Sequence, residues 1–215
     1  MARACLVDVW DTILKPDFED RLTALTAYAG VDPATFLAEW LASRTDRDRG
    51  KLSVASSFAR TLRCCGIDPR PELVSDLLRM DAELAREHVR LFDDAVPFLT
   101  ELRSRGVLIA LVSNCSDTTR PLLDYLGVIA LADSVILSCE VGSAKPFPEI
   151  YVSALEDLGV AATDAVMIDD QPSFCAGAEA VGVRAIQIVR HDLDGQAPKP
   201  SFPVVYSLFD AQRYL

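Results

Sequence analysis

The stretch that decides the fold lies at the start of the chain and reads Ala4-Cys5-Leu6-Val7-Asp8-Val9-Trp10-Asp11-Thr12-Ile13-Leu14. A short apolar run ends there in a carboxylate, and a second carboxylate and a threonine follow at once. An apolar run of this length is typical of a buried parallel strand. In open parallel sheets, ligands bind just beyond the carboxyl ends of the strands. The pattern therefore places Asp8 where the chemistry of such sheets usually occurs.

Four further apolar runs predict strands in the second half of the chain. They span residues 107–112, 135–138, 165–168 and 185–189. The first three are followed by Ser113-Asn114, by the loop Gly142-Ser143-Ala144-Lys145-Pro146, and by Asp169-Asp170. Helical patterns at 118–126, 148–158 and 172–181 separate the runs, and each is followed by a glycine suited to a C-terminal cap. This alternation predicts a three-layer, Rossmann-like α/β fold around a parallel sheet.

The segment 15–92 departs from the alternation, because it predicts helix after helix. Apolar residues recur at helical spacing in 18–28, 33–43, 52–64 and 71–92. We therefore expect an α/β core domain formed by residues 1–14 and 93–215, with an inserted α-helical cap at 15–92. A lid over the crevice and a structural subdomain unrelated to any site both fit this pattern. Residues 191–203 predict a loop, 204–206 an edge strand, and the last residues a short helix.

Composition argues against several classes of partner. The 215 residues carry 32 acidic and 21 basic side chains, a formal net charge of −11, which disfavours nucleic-acid and anionic-membrane partners. A small anionic substrate remains compatible, because a bound cation reverses the local field. No apolar stretch reaches the roughly 18 residues of a membrane span, and the first apolar run is too short for a signal peptide. We expect a cytoplasmic protein with reduced cysteines, either a monomer or a homodimer.

Four elements, in their order and spacing, resemble the haloacid dehalogenase superfamily of phosphatases, phosphotransferases and dehalogenases. They are Asp8-Val9-Trp10-Asp11-Thr12, Ser113-Asn114, Lys145-Pro146 and Asp169-Asp170. Each is common alone, but each here comes after a predicted strand, and the resemblance covers nearly the whole chain. It implies the Rossmann-like core, a helical cap at the place of the insertion, and a hydrolase that forms a covalent intermediate on a carboxylate.

The resemblance also implies roles for individual residues. Asp8 would be the nucleophile, and Lys145 would place a positive charge against it and against the substrate anion. Thr12 and Ser113 would donate hydrogen bonds, one orienting the nucleophile and one holding the transferred anion. Asn114 would donate an amide hydrogen to the same anion. Taken singly, these residues also suit plainer roles, namely turn and helix caps for the polar groups and a solvated loop for the lysine.

The last element predicts a magnesium site, since paired carboxylates beside a third one suit Mg²⁺. In the superfamily's pattern the cation is bound by the nucleophile, here Asp8, by the backbone carbonyl of Trp10, and by an acid of the last motif. Asp170 aligns with that acid, and Asp169 replaces a common glycine. A second acid found further along in some members is missing here, because Phe174 and Cys175 occupy that stretch. The plainer alternative is a pair of caps for the helix that follows.

Trp10 is the main departure from the phosphatase pattern. Phosphatases of this superfamily usually carry a second Asp there, which protonates the leaving group, and an indole offers only an N–H donor. Dehalogenating members also have an aromatic residue at this place and are metal-independent, and Tyr151 matches a tyrosine that they share with many phosphatases. Asp169-Asp170 instead favours the metal-dependent members, because two adjacent carboxylates without a cation would repel each other.

Few other residues invite a functional interpretation. Arg44, Arg47, Arg49 and Lys51 form a basic cluster that fits an anionic substrate, or a solvated loop in which Asp46 and Asp48 alternate with them. The two histidines, His88 and His191, lie outside the four elements.

Three functions remain open at this point. The first is a Mg²⁺-dependent phosphatase of a small phosphorylated metabolite, acting through an aspartyl-phosphate at Asp8. The second is a metal-independent 2-haloacid dehalogenase, in which Asp8 displaces halide from carbon. The third is a binding module, or a catalyst of different chemistry, built on the same scaffold.

Overall fold

The computed structural model describes residues 2–16, 19–190 and 202–215. The strands in these ranges are β1 (Ala4–Val7), β2 (Leu14–Lys15), β3 (Arg90–Leu91), β4 (Leu108–Ser113), β5 (Ser134–Leu137), β6 (Ala165–Asp169), β7 (Arg184–Ile188) and β8 (Val204–Val205). The helices are α1 (Glu19–Ala29), α2 (Pro33–Ala42), α3 (Arg44–Asp48), α4 (Val54–Cys64), α5 (Pro71–His88), α6 (Ala95–Ser104), α7 (Thr119–Tyr125), α8 (Ser138–Val141), α9 (Pro148–Leu158), α10 (Pro172–Ala180) and α11 (Leu208–Ala211).

The main sheet has six strands in the order β5-β4-β1-β6-β7-β8, and every described pair in it is parallel. Its two faces follow the two-residue period of a strand. Cys5 and Val7 of β1 pack into one apolar layer with α6, α7 and α11. Ala4 and Leu6 pack into the other with α9 and α10. The predicted three-layer, Rossmann-like α/β fold is confirmed.

One predicted boundary is wrong at the end of the helical segment, and one helix beyond that segment was not predicted. The helix predicted to reach residue 92 ends at His88, and Arg90–Leu91 instead pairs antiparallel with Leu14–Lys15. Pairing between distant residues outweighs the local helical pattern there. In addition, α6 was not predicted, although its buried residues Ala95, Phe98, Leu99 and Leu102 have helical spacing.

Helices α1 to α5 lie between β2 and β3 and share a small apolar core. Its buried members are Leu25, Phe36, Val54, Phe58, Leu62 and Leu77. The β2–β3 ribbon brings together the two points where the chain enters and leaves this segment. Gly50, which has φ +66°, marks a close contact with α8, because a Cβ atom there would lie 2.0 Å from the carbonyl oxygen of Cys139. Only glycine satisfies both conditions.

The structure describes part of the C-terminal segment for which a loop, an edge strand and a short helix are predicted. The predicted edge strand appears as β8, which pairs with β7, and a short helix follows it as α11. Most of the predicted loop 191–203, with His191, lies outside the described residues. Among the helices of the described ranges, none has both the length and the apolar character needed to cross a membrane.

Candidate active site

Three neighbouring strands bring the predicted polar residues to one edge of the sheet. Asp8 follows β1, Ser113 ends β4 and Asp169 ends β6. Since β4 and β6 flank β1 in parallel register, with Val7 opposite Leu111 and Ile168, their carboxyl ends lie side by side. Residues more than a hundred positions apart in sequence therefore meet at this edge.

Lys145 lies at the centre of this group with its side chain fully buried. Its Nζ donates to Asp8 Oδ1 at 2.5 Å, to Asp169 Oδ2 at 2.6 Å and to the Val112 carbonyl at 3.1 Å. Burial works to lower the pKa of the ammonium, but the Asp169 and Asp8 carboxylates outweigh it and raise the pKa above its ordinary value. Lys145 is therefore a fixed positive charge against the candidate nucleophile.

Asn114 differs from its predicted role. Its Nδ2 donates to the Lys145 carbonyl at 2.8 Å, and its Oδ1 accepts the Lys145 backbone N–H at 2.7 Å. Both ends of the amide are thus engaged by one peptide unit. Asn114 holds the Lys145 loop against the end of β4, so the structure gives it a positioning role.

Asp8, Asp169 and Asp170 form a carboxylate cluster whose nearest oxygens all lie within 4.8 Å of one another. Burial, followed in importance by the charge of Asp8, raises the pKa of Asp170 to about 6. Burial also raises the pKa of Asp169 to about 8, even though Lys145 and the Gln171 N–H oppose the shift. One lysine does not balance three carboxylates, of which two are buried and one is partly buried, and hard oxygen donors at this spacing fit a divalent cation such as Mg²⁺.

Two glutamines hold Asp170 in place. Gln171 Nε2 donates to Asp170 Oδ2 at 2.5 Å, and Gln187 Nε2 donates to the Asp170 carbonyl at 3.1 Å. Gln187 is nearly buried in β7. The cluster is therefore supported by the next strand of the sheet as well.

Thr12 and Ser113 each place a buried hydroxyl at this edge. Both residues are fully buried, and neither Oγ atom has a hydrogen-bond partner in the described part of the chain. A buried polar group without a partner is costly, and in native proteins such groups usually mark a bound ligand, water or ion. Both hydroxyls are therefore available as donors at this edge of the sheet.

Arg190 and Asp94 support the loop after β1, and the sequence patterns did not reveal them. The Arg190 guanidinium donates to the Thr12 carbonyl at 3.1 and 2.6 Å, and to Asp94 twice at 2.8 Å. Asp94 also accepts the Leu208 backbone N–H at 2.8 Å. The rule that the carboxyl ends of parallel strands carry functional groups applies equally to β7, and that rule would have directed attention to Arg190.

A cavity of about 390 Å³ lies between the helical segment and the loops that follow β1 and β4. Trp10, Asp11 and Asn114 line it on the side of the sheet, whereas Asp8 is almost completely buried and does not line it. Asp11 adopts a left-handed conformation with φ 56°, which aspartate tolerates better than most residues. The cavity therefore opens beside the carboxylate cluster.

The predicted substrate-binding residues separate into two groups. Arg44 and Arg47 both line the cavity, and they belong to α3 rather than to a solvated loop. Tyr151 lies in the core, where its hydroxyl donates to the Phe174 carbonyl at 2.7 Å. The helical spacing of α9 turns this side chain towards the sheet, so the structure does not support a substrate-binding role for Tyr151.

Comparison with known proteins identifies the family. A family model described as haloacid dehalogenase-like hydrolase matches residues 2–182. The chain is 28% identical to a glyceraldehyde 3-phosphate phosphatase of Methanopyrus kandleri over 93% of this chain and 89% of that protein. It is 32% identical to a ribulose-1,5-bisphosphate 5-phosphatase of Halopiger xanaduensis over 72% and 68% respectively. An L-2-haloacid dehalogenase of Xanthobacter autotrophicus shares the fold, with a TM-score of 0.71 at 20% identity over 99% and 98% of the two chains.

Proposed function

We propose that this chain, which belongs to the haloacid dehalogenase-like hydrolase family, is a Mg²⁺-dependent phosphatase of a small phosphorylated metabolite. The observation that carries the proposal is the cluster of Asp8, Asp169 and Asp170 around the buried Lys145. The curated relatives that match most of the chain are phosphatases, which favours phosphoryl transfer over halide displacement.

In the proposed reaction, a carboxylate oxygen of Asp8 attacks phosphorus while the bond to the leaving oxygen breaks. The products are an aspartyl-phosphate on Asp8 and the leaving oxyanion, which takes a proton from solvent and is released as an alcohol or acid. Water then attacks the same phosphorus, inorganic phosphate leaves, and the Asp8 carboxylate is restored. Phosphoryl transfer of this kind depends mainly on positioning and electrostatic stabilisation.

The chain's own residues supply most of that stabilisation. Lys145 keeps its charge against Asp8 and neutralises the developing charge on the phosphoryl oxygens. The unpartnered hydroxyls of Thr12 and Ser113 donate to the nucleophile and to the phosphoryl group. Asn114 and Asp169 keep Lys145 in place, because both bind it directly.

Asp8, Asp170 and the Trp10 carbonyl would hold the metal in this proposal. When bound, Mg²⁺ supplies positive charge to the transferring phosphoryl group. Asp169 already binds Lys145 and the Gln171 backbone N–H, so we assign it to supporting the lysine and the metal site. Residues 15–92 would form a cap that closes over the site, with the β2–β3 ribbon at its base.

One observation favours the dehalogenase alternative. Trp10 lines the cavity at the place where a general acid is expected, and a halide leaves without a proton. The two functions are separated by a single assay. A phosphatase should release phosphate from phosphate esters and stop in EDTA, whereas a dehalogenase should release halide from a 2-haloacid in the presence of EDTA.

We expect Asp170→Asn to weaken Mg²⁺ binding strongly, because it removes one of two proposed carboxylate ligands and leaves an amide. Losing a residue that only hydrogen-bonds to a metal ligand usually costs on the order of 10- to 100-fold in metal affinity, so the loss of a ligand should cost at least as much. Titration calorimetry of wild type and variant measures the change, and Asp164→Asn at an exposed surface position is the control. Equal Mg²⁺ affinities in wild type and Asp170→Asn would remove the metal assignment.

Mg²⁺ binding should also depend on pH. Burial and the charge of Asp8 raise the pKa of Asp170 to about 6, so protons compete with the cation for this carboxylate. The apparent affinity should therefore rise as the pH rises from 5 to 8, with release of protons on binding. The Mg²⁺-induced increase in melting temperature should be larger at pH 8 than at pH 5. An increase that is independent of pH would contradict this assignment.

Other expectations still rest on the sequence alone. They are a small anionic substrate without nucleic-acid or membrane partners, a cytoplasmic location, and a monomer or homodimer.

A further inference from the structure

We propose that Arg47 is an anion-binding subsite of the cavity and that the substrate is a phosphorylated carboxylic acid, whose carboxylate pairs with this guanidinium. The substrate class rests on the proposed phosphatase function. The subsite itself rests only on the geometry around Arg47, so the two are tested separately.

Arg47 is buried but has no carboxylate partner. It is 5% exposed, and within the described residues no acidic side chain lies in ion-pair range of it. Its Nη1 donates to the Trp40 carbonyl at 2.8 Å and to Ser43 Oγ at 2.5 Å. Burial lowers the pKa of the guanidinium. A buried charge is costly unless it is paired, so this arginine is suited to an anion that arrives with the ligand.

Of the other three arginines of the cavity wall, two are paired with carboxylates and the third, Arg86, is exposed to solvent. Arg21 binds Asp81 at 2.5 Å, and Arg44 lies 3.5 Å from Asp48. These pairs use the two carboxylates that the helical segment presents to the cavity. Arg47 is thus the buried guanidinium of the described cavity wall that forms no ion pair.

The remaining donors of Arg47 match a carboxylate. With Nη1 engaged, Nε and Nη2 present two parallel N–H groups, the fork that binds a carboxylate in a bidentate manner. A second phosphate would bring up to two negative charges against one positive charge in a buried place, which the desolvation cost disfavours. A single carboxylate neutralises the one positive charge of Arg47.

The surrounding wall fixes the guanidinium and is apolar. Arg47 stacks over the Trp40 ring at 3.8 Å, and Trp40 stacks on Phe58 at 4.8 Å. Leu22, Leu25, Phe36 and Val54 also line the cavity. A substrate that fits has a carbon skeleton between a phosphate near Trp10 and Asn114 and a carboxylate at Arg47.

The structural alternative is that Arg47 only holds α2 to α3 through its bonds to Trp40 and Ser43. An amide NH₂ group has the two N–H donors that those bonds need, so Arg47→Gln separates the two roles. Arg47→Lys keeps the charge without the fork, and Arg63→Gln is the control at an exposed position of α4 outside the cavity wall.

The first experiment compares the hydrolysis of 4-carboxyphenyl phosphate and 4-carbamoylphenyl phosphate, which differ in charge but little in size. We expect wild type and Arg63→Gln to favour the carboxylate by about 10- to 100-fold in kcat/KM, the range of a charge-assisted hydrogen bond in a buried site. Arg47→Gln should lose this preference and keep its rate on the amide, whereas Arg47→Lys should retain part of it. A preference that persists in Arg47→Gln would overturn the proposal.

The second experiment does not require phosphatase activity. Trp10 and Trp40 are the two tryptophans of the chain, so Trp10→Phe leaves Trp40, stacked on Arg47, as the single fluorescent reporter. Benzoate should change its emission saturably in Trp10→Phe and not in Trp10→Phe/Arg47→Gln, and benzamide should have no saturable effect in either. If no phosphate ester is hydrolysed but benzoate binds in this manner, the proposed function fails and the subsite stands. Equal responses to benzoate in both proteins would exclude the subsite.

Discussion

Asp8→Asn is expected to abolish turnover of every substrate that the protein accepts. The amide is not a nucleophile at neutral pH, and removal of a covalent nucleophile typically lowers kcat by on the order of 10⁴-fold or more. The fold should persist, because Asn has the shape of Asp and Lys145 keeps its bond to Asp169 at 2.6 Å. Steady-state kinetics with a sensitive phosphate assay measures the loss, and circular dichroism with thermal unfolding checks the fold.

A phosphoryl analogue distinguishes a nucleophile from a residue that only binds. Beryllium fluoride should bind wild type stoichiometrically in the presence of Mg²⁺, as followed by ¹⁹F nuclear magnetic resonance, and should not bind Asp8→Asn. Asp164→Asn, at a surface ion pair with Arg3, should behave as wild type in both measurements. Substantial turnover by purified Asp8→Asn would remove the covalent mechanism.

The sequence predicts much of this site because parallel strands end at one edge. The apolar runs locate β1, β4 and β6, and the polar residues after them then have to lie close together. The position of Lys145 follows less directly, because it lies in a loop beyond β5, and only its resemblance to a family motif placed it near Asp8. Its buried contacts with Asp8 and Asp169 depend on the Asn114 bonds that hold its loop, which no local pattern encodes.

The contacts that the sequence did not reveal all depend on packing between distant elements. Arg190 reaches the Thr12 carbonyl and Asp94 across 178 and 96 positions of sequence. Tyr151 occupies a motif-like position, but the packing of α9 places it in the core. Arg47 belongs to a cluster of alternating charges that is typical of a solvated loop. Its burial against Trp40 depends on the packing of α2, α3 and α4.

Trp10 occupies the position at which phosphatases of the family carry the acid that protonates the leaving group. It is half-buried, packs against the apolar layer of β1 and lines the cavity, so no carboxylate occupies the place of the usual acid. Asp11 also lines the cavity and is the nearest alternative in sequence. His88 lies at the end of α5, with its ring 3.9 Å from Asp20, and it is not part of the cavity wall. Neither residue has the position that the family pattern assigns to a general acid.

We therefore expect the rate of hydrolysis to depend steeply on the leaving group. Aryl and acyl phosphates need little protonation as the bond breaks, whereas alkyl and sugar phosphates need a proton, and general acid catalysis is worth about 10²- to 10⁴-fold. A panel of esters should show kcat/KM falling by a factor of that order as the leaving-group pKa rises from that of a nitrophenol to that of an alcohol. A wild type that hydrolyses alkyl phosphates as readily as aryl ones would show that another group donates the proton, and Asp11→Asn and His88→Gln would identify it.

Trp10→Asp also tests whether the missing general acid limits hydrolysis, because it restores a carboxylic acid at the family's position. The slope against leaving-group pKa should become shallower, mainly through faster hydrolysis of alkyl phosphates. Removal of an indole also leaves a void, which costs stability and can displace the loop. Trp10→Asn is the matched control, since it creates the same void without an acid. If Trp10→Asp and Trp10→Asn have the same slope as wild type while both remain folded, protonation of the leaving group is not what limits this enzyme.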